Sequence, residues 1–214
     1  MIVVFSLMRR RADITVETFR QHWLDPHGPL VCKFPRLRRY SQNHVTELRS
    51  IAAALPPSLH VDGFAELAYD NDADQEVATG SPEMAACDKD SPLFIGSVLR
   101  VVTQDRPIRP QPAQSAGTTK QITVFTGQPN ETDAALSRFR DAVTGTTGVT
   151  GHIENTALRQ RGPRSEVPVL DVPVAAIVEV WFADQAAMRQ AAAHLDKEAG
   201  EHAATFAVAE HRFI

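Results

Sequence analysis

The sequence predicts an α+β protein: two fused ferredoxin-like βαββαβ units that form a barrel-type pseudo-dimer within one chain, with two four-stranded sheets facing each other. Three observations predict it. Two apolar runs, Ile2-Val3-Val4-Phe5 and Gln121-Ile122-Thr123-Val124-Phe125, read as buried strands at comparable positions. The residues downstream of the two runs align in the same order. Phe19-Arg20 falls on Phe139-Arg140, Tyr40-Ser41-Gln42-Asn43 on His152-Ile153-Glu154-Asn155, and Phe64-Ala65-Glu66-Leu67 on Ile177-Val178-Glu179-Val180. Asp88-Lys89-Asp90 falls on Asp196-Lys197-Glu198, and Arg106-Pro107-Ile108 on Arg212-Phe213-Ile214. Between the halves lies a polar, Pro-rich stretch, RPQPAQSAGTT, that reads as a linker. The units are therefore 1–108 and 120–214, joined by 109–119.

Each element of the first unit has its own signal. Val3 to Met8 is apolar on both faces, as a strand buried on two sides must be. Thr15 is placed to cap a helix, with Glu17 near its positive end and Val16, Phe19, Trp23 and Leu24 forming an apolar stripe. Leu37 to Val45 and Val61 to Tyr69 read as strands, Ser81 to Asp90 as a second helix, and Gly96 to Thr103 as the closing strand. The second unit repeats the order, most clearly in the helix Asp184 to His194 and the strand Val174 to Phe182. A ferredoxin-like unit covers one sheet face with helices and leaves the other bare. The tethered second sheet is the nearest cover for it.

Composition narrows the function. Hydrophobic residues make up 43% of the chain and charged ones 22%, which suits a folded water-soluble protein. The net charge is −4, so no basic field exists to gather nucleic acid. Arg36, Arg38 and Arg39 read as a solvated strand end. The opening run MIVVFSLMRRR is too short for a membrane span and carries its charges after the apolar residues, so it reads as a strand and not as a leader. Cys32 and Cys87 are the two cysteines; isolated thiols fit a reducing, cytoplasmic setting and buried core positions. No phosphate loop, nucleophile elbow or metal-binding spacing is present.

The repeat is uneven where chemistry is concerned. The first unit runs Phe19-Arg20-Gln21-His22-Trp23-Leu24-Asp25-Pro26-His27-Gly28-Pro29-Leu30; in the second, Trp23 is matched by Val143 and His27 by Thr147. One working site and one supporting half would leave this trace. The string His22-Trp23…His27-Gly28-Pro29-Leu30, followed by Tyr40-Ser41-Gln42-Asn43-His44 and Val61-Asp62-Gly63-Phe64-Ala65-Glu66, resembles the EthD family, whose members have the dimeric α+β barrel fold. The resemblance covers residues 1 to 105 and fades over 119 to 214.

That resemblance implies a catalytic group of His27, Tyr40 and Asp62, with Trp23, Asn43, His44 and Glu66 contacting substrate. An imidazole between helix and sheet can exchange a proton near neutral pH. Tyr40 could hold a carbonyl or enolate oxygen, and Asp62 could orient His27 or act as a second acid or base. Each has a plainer reading beside it. His27 could satisfy a helix-end carbonyl, Tyr40 could be half-buried core, and Glu66, matched by Glu179, could be structural. His22 reads as a helix-surface histidine. Tyr40, Gln42 and His44 share one strand face and Ser41 and Asn43 the other, so one cavity holds at most one of these sets. The sequence favours a cofactor-independent enzyme of isomerase, dehydratase or decarboxylase type, taking a small hydrophobic carbonyl compound. An auxiliary binding protein of an oxygenase system and a haem-dependent oxidoreductase stand as alternatives. Further homodimerisation is compatible with either.

Overall fold

A computed structural model describes residues 1–51, 59–115 and 117–214. The first half runs β1 (Ile2–Arg10), α1 (Val16–His22), a single π-helical turn (Trp23–His27), α2 (Gly28–Val31), β2 (Arg39–Ile51), β3 (Gly63–Tyr69), α3 (Asp72–Thr79), α4 (Pro82–Asp90) and β4 (Ile95–Arg109). The second runs β5 (Thr119–Thr126), α5 (Pro129–Gly145), β6 (Val149–Arg161), β7 (Val174–Phe182), α6 (Gln185–Ala199) and β8 (Ala203–Arg212). Helix starts coincide with side-chain caps. Thr15 accepts from Thr18 N–H at 3.1 Å, Asn71 from Asp74 at 2.9 Å, Ser81 from Met84 at 3.2 Å and Asp184 from Ala187 at 2.8 Å.

The mixed α+β architecture agrees with the sequence expectation, but the sheets do not simply face each other. All eight strands form one closed barrel in the order β1-β3-β2-β8-β5-β7-β6-β4. Within the first half the order is β4-β1-β3-β2, which leaves β4 and β2 as edges. Each edge finds its partner in the other half: β2 pairs antiparallel with β8 and β4 with β6. An unpaired edge exposes a row of backbone donors and acceptors, and closure removes it. Strand ends predicted at Val45 and Thr103 therefore extend to Ile51 and Arg109, because the added length pairs across the halves.

Alternation along each strand sorts side chains into two worlds. Val3, Phe5, Phe64, Ile122, Val124 and Phe206 point inward and fill the barrel. Ile2, Val4, Met8, Ala65, Leu67 and Tyr69 point outward under α1, α4 and the π turn. A matching outer layer packs α5 and α6 on the second half. Each large apolar side chain so buried contributes ~1.5–3 kcal/mol.

Part of the barrel interior is charged. Lys120, 2% exposed, has its Nζ 2.6 Å from Glu179, 2.9 Å from Glu210 and 3.2 Å from Glu66. Arg39 meets Glu66 at 2.8 Å, and Arg212 meets Glu210 at 2.7 Å. Trp181 donates to Glu210, and its ring lies under the ammonium at 4.6 Å. Three carboxylates thus face three cations. Burial opposes the charge on Lys120, but the carboxylates around it outweigh burial and raise its pKa. Burial and the neighbouring Glu66 push Glu179 up, against the pull of Lys120. Two sequence expectations are corrected here. Arg39 is an interior ion-pair partner and not part of a solvated strand end, and Glu66 faces the barrel interior. Their inward direction is a matter of strand parity, which a short basic run conceals.

Removing the central cation leaves three buried carboxylates with too little compensation. Lys120→Met is expected to lower unfolding stability by ~3–5 kcal/mol, the penalty for breaking a buried ion pair from one side. Urea denaturation monitored by circular dichroism measures it. A loss below ~1 kcal/mol would show that the carboxylates take up protons at little cost.

Candidate functional site

The outer face of the first sheet is a grid fixed by register. Its rows read Val98, Met8, Gly63, His44; then Arg100, Ser6, Ala65, Gln42; then Val102, Val4, Leu67, Tyr40. The middle row sets the two small residues Ser6 and Ala65 between two polar ones. Above them lies a cavity of about 80 Å³. One water needs ~10–15 Å³ on this measure, so the space admits a small ring system. Trp23, His27, Val31 and Phe34 wall it from the helical segment, Met84, Cys87 and Ser91 from α4 and its end, and Tyr69 from β3. The wall is completed by the second half: Pro163 and Ser165, in the β6–β7 connection, also line it. That connection is tied down by Val98 N–H to Pro168 O at 2.9 Å and Leu170 N–H to Val98 O at 3.1 Å.

The π turn has a local cause. Pro26 has no N–H to give to the preceding turn, and Gly28 N–H instead reaches back to Trp23 O. Widening the helix there carries His27 toward α4. Gly63 makes room beneath: a Cβ on it would lie 2.3 Å from the Trp23 ring. The indole, fully buried, stacks on His44 at 4.4 Å.

His27 is 7% exposed, and its Nδ1 lies 2.8 Å from Asp90 Oδ2. His22 Nε2 meets the same carboxylate at 3.1 Å and its ring stacks on Phe94, so His22 is half-buried and partnered, not a surface histidine. Burial works against a charged Asp90, but hydrogen bonds from His27 and His22 outweigh it and hold the carboxyl below its ordinary range. An ionised Asp90 accepts a hydrogen bond from Nδ1–H, the tautomer that leaves Nε2 of His27 with its lone pair.

Tyr40 closes a second chain of contacts. His44 Nε2 meets Gln42 Oε1 at 2.9 Å, and Gln42 Nε2 donates to the Tyr40 hydroxyl at 2.7 Å and to Trp23 O at 2.7 Å. With its oxygen accepting from Gln42, Tyr40 keeps its own hydrogen to donate. Burial pushes its pKa up, so it remains protonated. Phe213, from the end of the chain, stacks on Tyr40 at 4.9 Å and leans on Gly28. Cys87 is pushed up to about 12 by burial and by the nearby Asp90 and Asp88, so it sits in the wall as a neutral thiol.

The structure thus brings together Trp23, His27 and Tyr40, with His44 one step behind. Asn43 and Glu66 lie on the opposite strand faces, inside the barrel, where Asn43 donates to Phe64 O at 3.2 Å. Asp62 precedes β3 and pairs with Arg10 at 2.8 Å, so the carboxylate that orients His27 is Asp90 and not Asp62. Asp90 stands out in the sequence only as a landmark of the repeat, paired with Glu198; nothing local ties it to His27 across 63 positions. Among the described residues, no group of three or more His, Cys, Asp or Glu side chains is placed to hold a metal ion. No helix among them is long and apolar enough to cross a membrane.

The second half holds a reduced counterpart. His152, in the position of Tyr40, is 2% exposed, and its ring makes no hydrogen bond among the described residues, with Nε2 3.7 Å from Glu154 Oε1; Ile108 and Arg109 line a small pocket with it. Burial drives His152 down to about 4.

Residues 11–97 match the sequence model of the EthD domain. Among solved structures, an anthrone oxidase-like protein superposes with a TM-score of 0.66 at 11% identity, over 99% of this chain and 92% of its own. A putative monooxygenase from Fusobacterium nucleatum subsp. nucleatum ATCC 25586 gives 0.59 at 8% identity, over 97% and 91%. An ethyl tert-butyl ether degradation (EthD) family protein from Bacillus halodurans C-125 is 23% identical over 49% of this chain and 97% of its own, with a TM-score of 0.38. The first two likenesses are of fold, spanning both halves. No curated protein matches the sequence.

Buried neutral histidines predict an acid response. His44 is driven to about 3 by burial and by the charges of His211 and Arg20, and His152 to about 4. Between those values and the ordinary ~6.5 the unfolded chain binds more protons than the native one. Stability from these groups is complete above a pH of about 6.5 and is lost as pH falls toward their native values. Thermal unfolding from a pH of about 7.5 down to about 4.5 is expected to show a falling Tm, with a shallower slope in His152→Gln. An unchanged slope in that variant would remove His152 from the account.

Proposed function

We propose that the EthD half is a proton-transfer enzyme acting, without a resident cofactor, on a small hydrophobic carbonyl compound. The observation that carries this reading is the His27–Asp90 pair, 2.8 Å apart, with His27 lining a cavity whose wall is largely apolar around Trp23, Val31, Phe34 and Met84. Nε2 of His27 is the base that removes a proton from the carbon beside the carbonyl. The electron pair moves to the carbonyl oxygen, where the Tyr40 hydroxyl stabilises it. Asp90 stabilises the imidazolium formed, and His27 then returns the proton at another carbon or to a departing group. Isomerisation and dehydration differ only in where that proton lands; in a decarboxylation the loss of CO₂ leaves the electron pair instead, and His27, protonated from water beforehand, delivers a proton to that carbon. The apolar part of the wall favours a largely hydrophobic substrate, and the buried setting strengthens each polar contact.

A second reading starts from the same step. Two structures of this overall fold are named for oxidation, and an enolate formed at His27 is also an electron-rich species able to react with an oxidant. Proton removal by His27 comes first in either case.

Hydrogen exchange at the carbon next to a carbonyl tests the proposal. With 2-tetralone in heavy water, proton NMR should show exchange accelerated by the wild-type protein and slowed by ~10²-fold or more in His27→Asn. Asp90→Asn should fall between, because it loses orientation but keeps the imidazole. Exchange no faster with protein than without, or unchanged in His27→Asn, would sink the proton-transfer reading.

A further inference from the structure

Three polar groups around the His27 cavity hold hydrogen-bonding capacity that the fold leaves unused. Arg100, on the cavity floor beside Ser6, makes one long hydrogen bond, Nη2 to Asp88 at 3.4 Å, and its side chain is 20% exposed. Its other guanidinium donors have no partner among the described residues. Tyr69 lines the cavity and is 2% exposed, and its hydroxyl makes no hydrogen bond among the described residues. Ser165, which reaches the cavity from the second half, has a buried hydroxyl oxygen without a partner among them. A buried polar atom left unpaired, as Ser165 Oγ is, is costly, and with the spare donors of Arg100 and Tyr69 on the same cavity it points to a shared partner.

The donors specify what that partner is. A guanidinium carries a planar fork that matches two oxygens on one carbon, and two hydroxyls add neutral donors beside it. The register adds geometry. Arg100 stands at one end of the row Arg100, Ser6, Ala65, Gln42, whose two small central residues leave flat space over the sheet. His27 reaches that space from the helical wall. An apolar ring over Ser6 and Ala65 could therefore meet Arg100 at one edge and His27 at another.

We propose that Arg100, Tyr69 and Ser165 form a carboxylate anchor, and that the substrate is a flat, apolar molecule bearing a carboxylate. This inference rests on the reading of the His27 cavity as the substrate site. It also gives the second half a direct role, since Ser165 belongs to the β6–β7 connection. Arg100 binds substrate here and takes no part in proton transfer.

Calorimetric titration of the full chain with 2-naphthoate and with its neutral methyl ester separates the two ideas. The acid is expected to bind ~10-fold or more tightly than the ester, the discrimination given by a charge-assisted hydrogen bond. In Arg100→Gln the preference should shrink to within ~3-fold while ester affinity is kept. Tyr69→Phe should reduce it in the same direction, and it carries the test should Arg100→Gln fail to fold. His27→Asn should slow hydrogen exchange yet keep the preference for the acid. If the ester binds as well as the acid, or if the preference survives Arg100→Gln, the anchor is overturned and the cavity reading stands. If neither compound binds, both fall together.

Discussion

The constraint on which the rest of this structure depends is that neither half can finish its own sheet. The first half ends with two open edges, β2 and β4, and the partner strands that satisfy them belong to the second. Closing both edges at once makes a barrel, and a barrel has an inside that water does not reach. Inward side chains must then for the most part be apolar or have their polar atoms partnered. The chain does both, with a hydrophobic part around Phe5, Phe64 and Phe206 and a charged part in which Lys120, Arg39 and Arg212 meet three glutamates. The same pairing carries β8 past β2, which delivers Phe213 to Tyr40, and carries β6 along β4, which delivers its connection to the cavity mouth. The site in the first half is thus completed by strands it does not own.

Joining two such units in one chain also lets them diverge. When identical chains form a barrel, any change is made twice. In a fused chain, Trp23 and His27 can be kept in one half while Val143 and Thr147 stand in the other. The consequence is visible in the helices. The first half bends around Pro26 into a π turn that turns His27 toward Asp90, whereas α5 runs unbroken from Pro129 to Gly145 over its sheet. Irregular backbone and polarity gather on the side with the dyad, and regular packing on the other. That division fits a supporting half whose contribution is shape: a strap over the cavity and an aromatic ring beside Tyr40.

Much of this was legible in the sequence. The order-preserving repeat marked out the halves, and buried strands indicated the architecture, because apolar residues on both faces require cover on both faces. His27 and Trp23 stood out through the asymmetry of the repeat and through the string that resembles the EthD family. Direction and distance stayed hidden. Tyr40 and Asn43 are three positions apart and look equivalent in a line of text, yet one faces the cavity and the other the barrel interior; strand parity separates them, but the sequence does not say which parity is inward. Asp62 sits in the motif and Asp90 does not, while only Asp90 reaches His27, because α4 crosses over the π turn. The β6–β7 connection carries no motif at all, and its place against the first half exists only once the barrel has closed.

The histidines make the same point chemically. His27, His44 and His152 are all buried, yet their surroundings assign them different work. His44 donates to Gln42 and lies under Trp23, and burial with nearby positive charge keeps it neutral, so it serves as a fixed donor in the Gln42–Tyr40 relay. His152 has the burial without the relay, and neither of its nitrogens has a hydrogen-bond partner among the described residues. His27 alone is set against an ionised carboxylate on one nitrogen and a cavity on its other side. A base must gain a proton without a large penalty, and the two buried alternatives are held neutral by surroundings that oppose that gain. Of the three, His27 is the one that both hydrogen-bonds a carboxylate and lines the cavity, while His152 Nε2 stays 3.7 Å from Glu154 Oε1; under the proposed function this difference in environment, more than residue type, singles out one histidine.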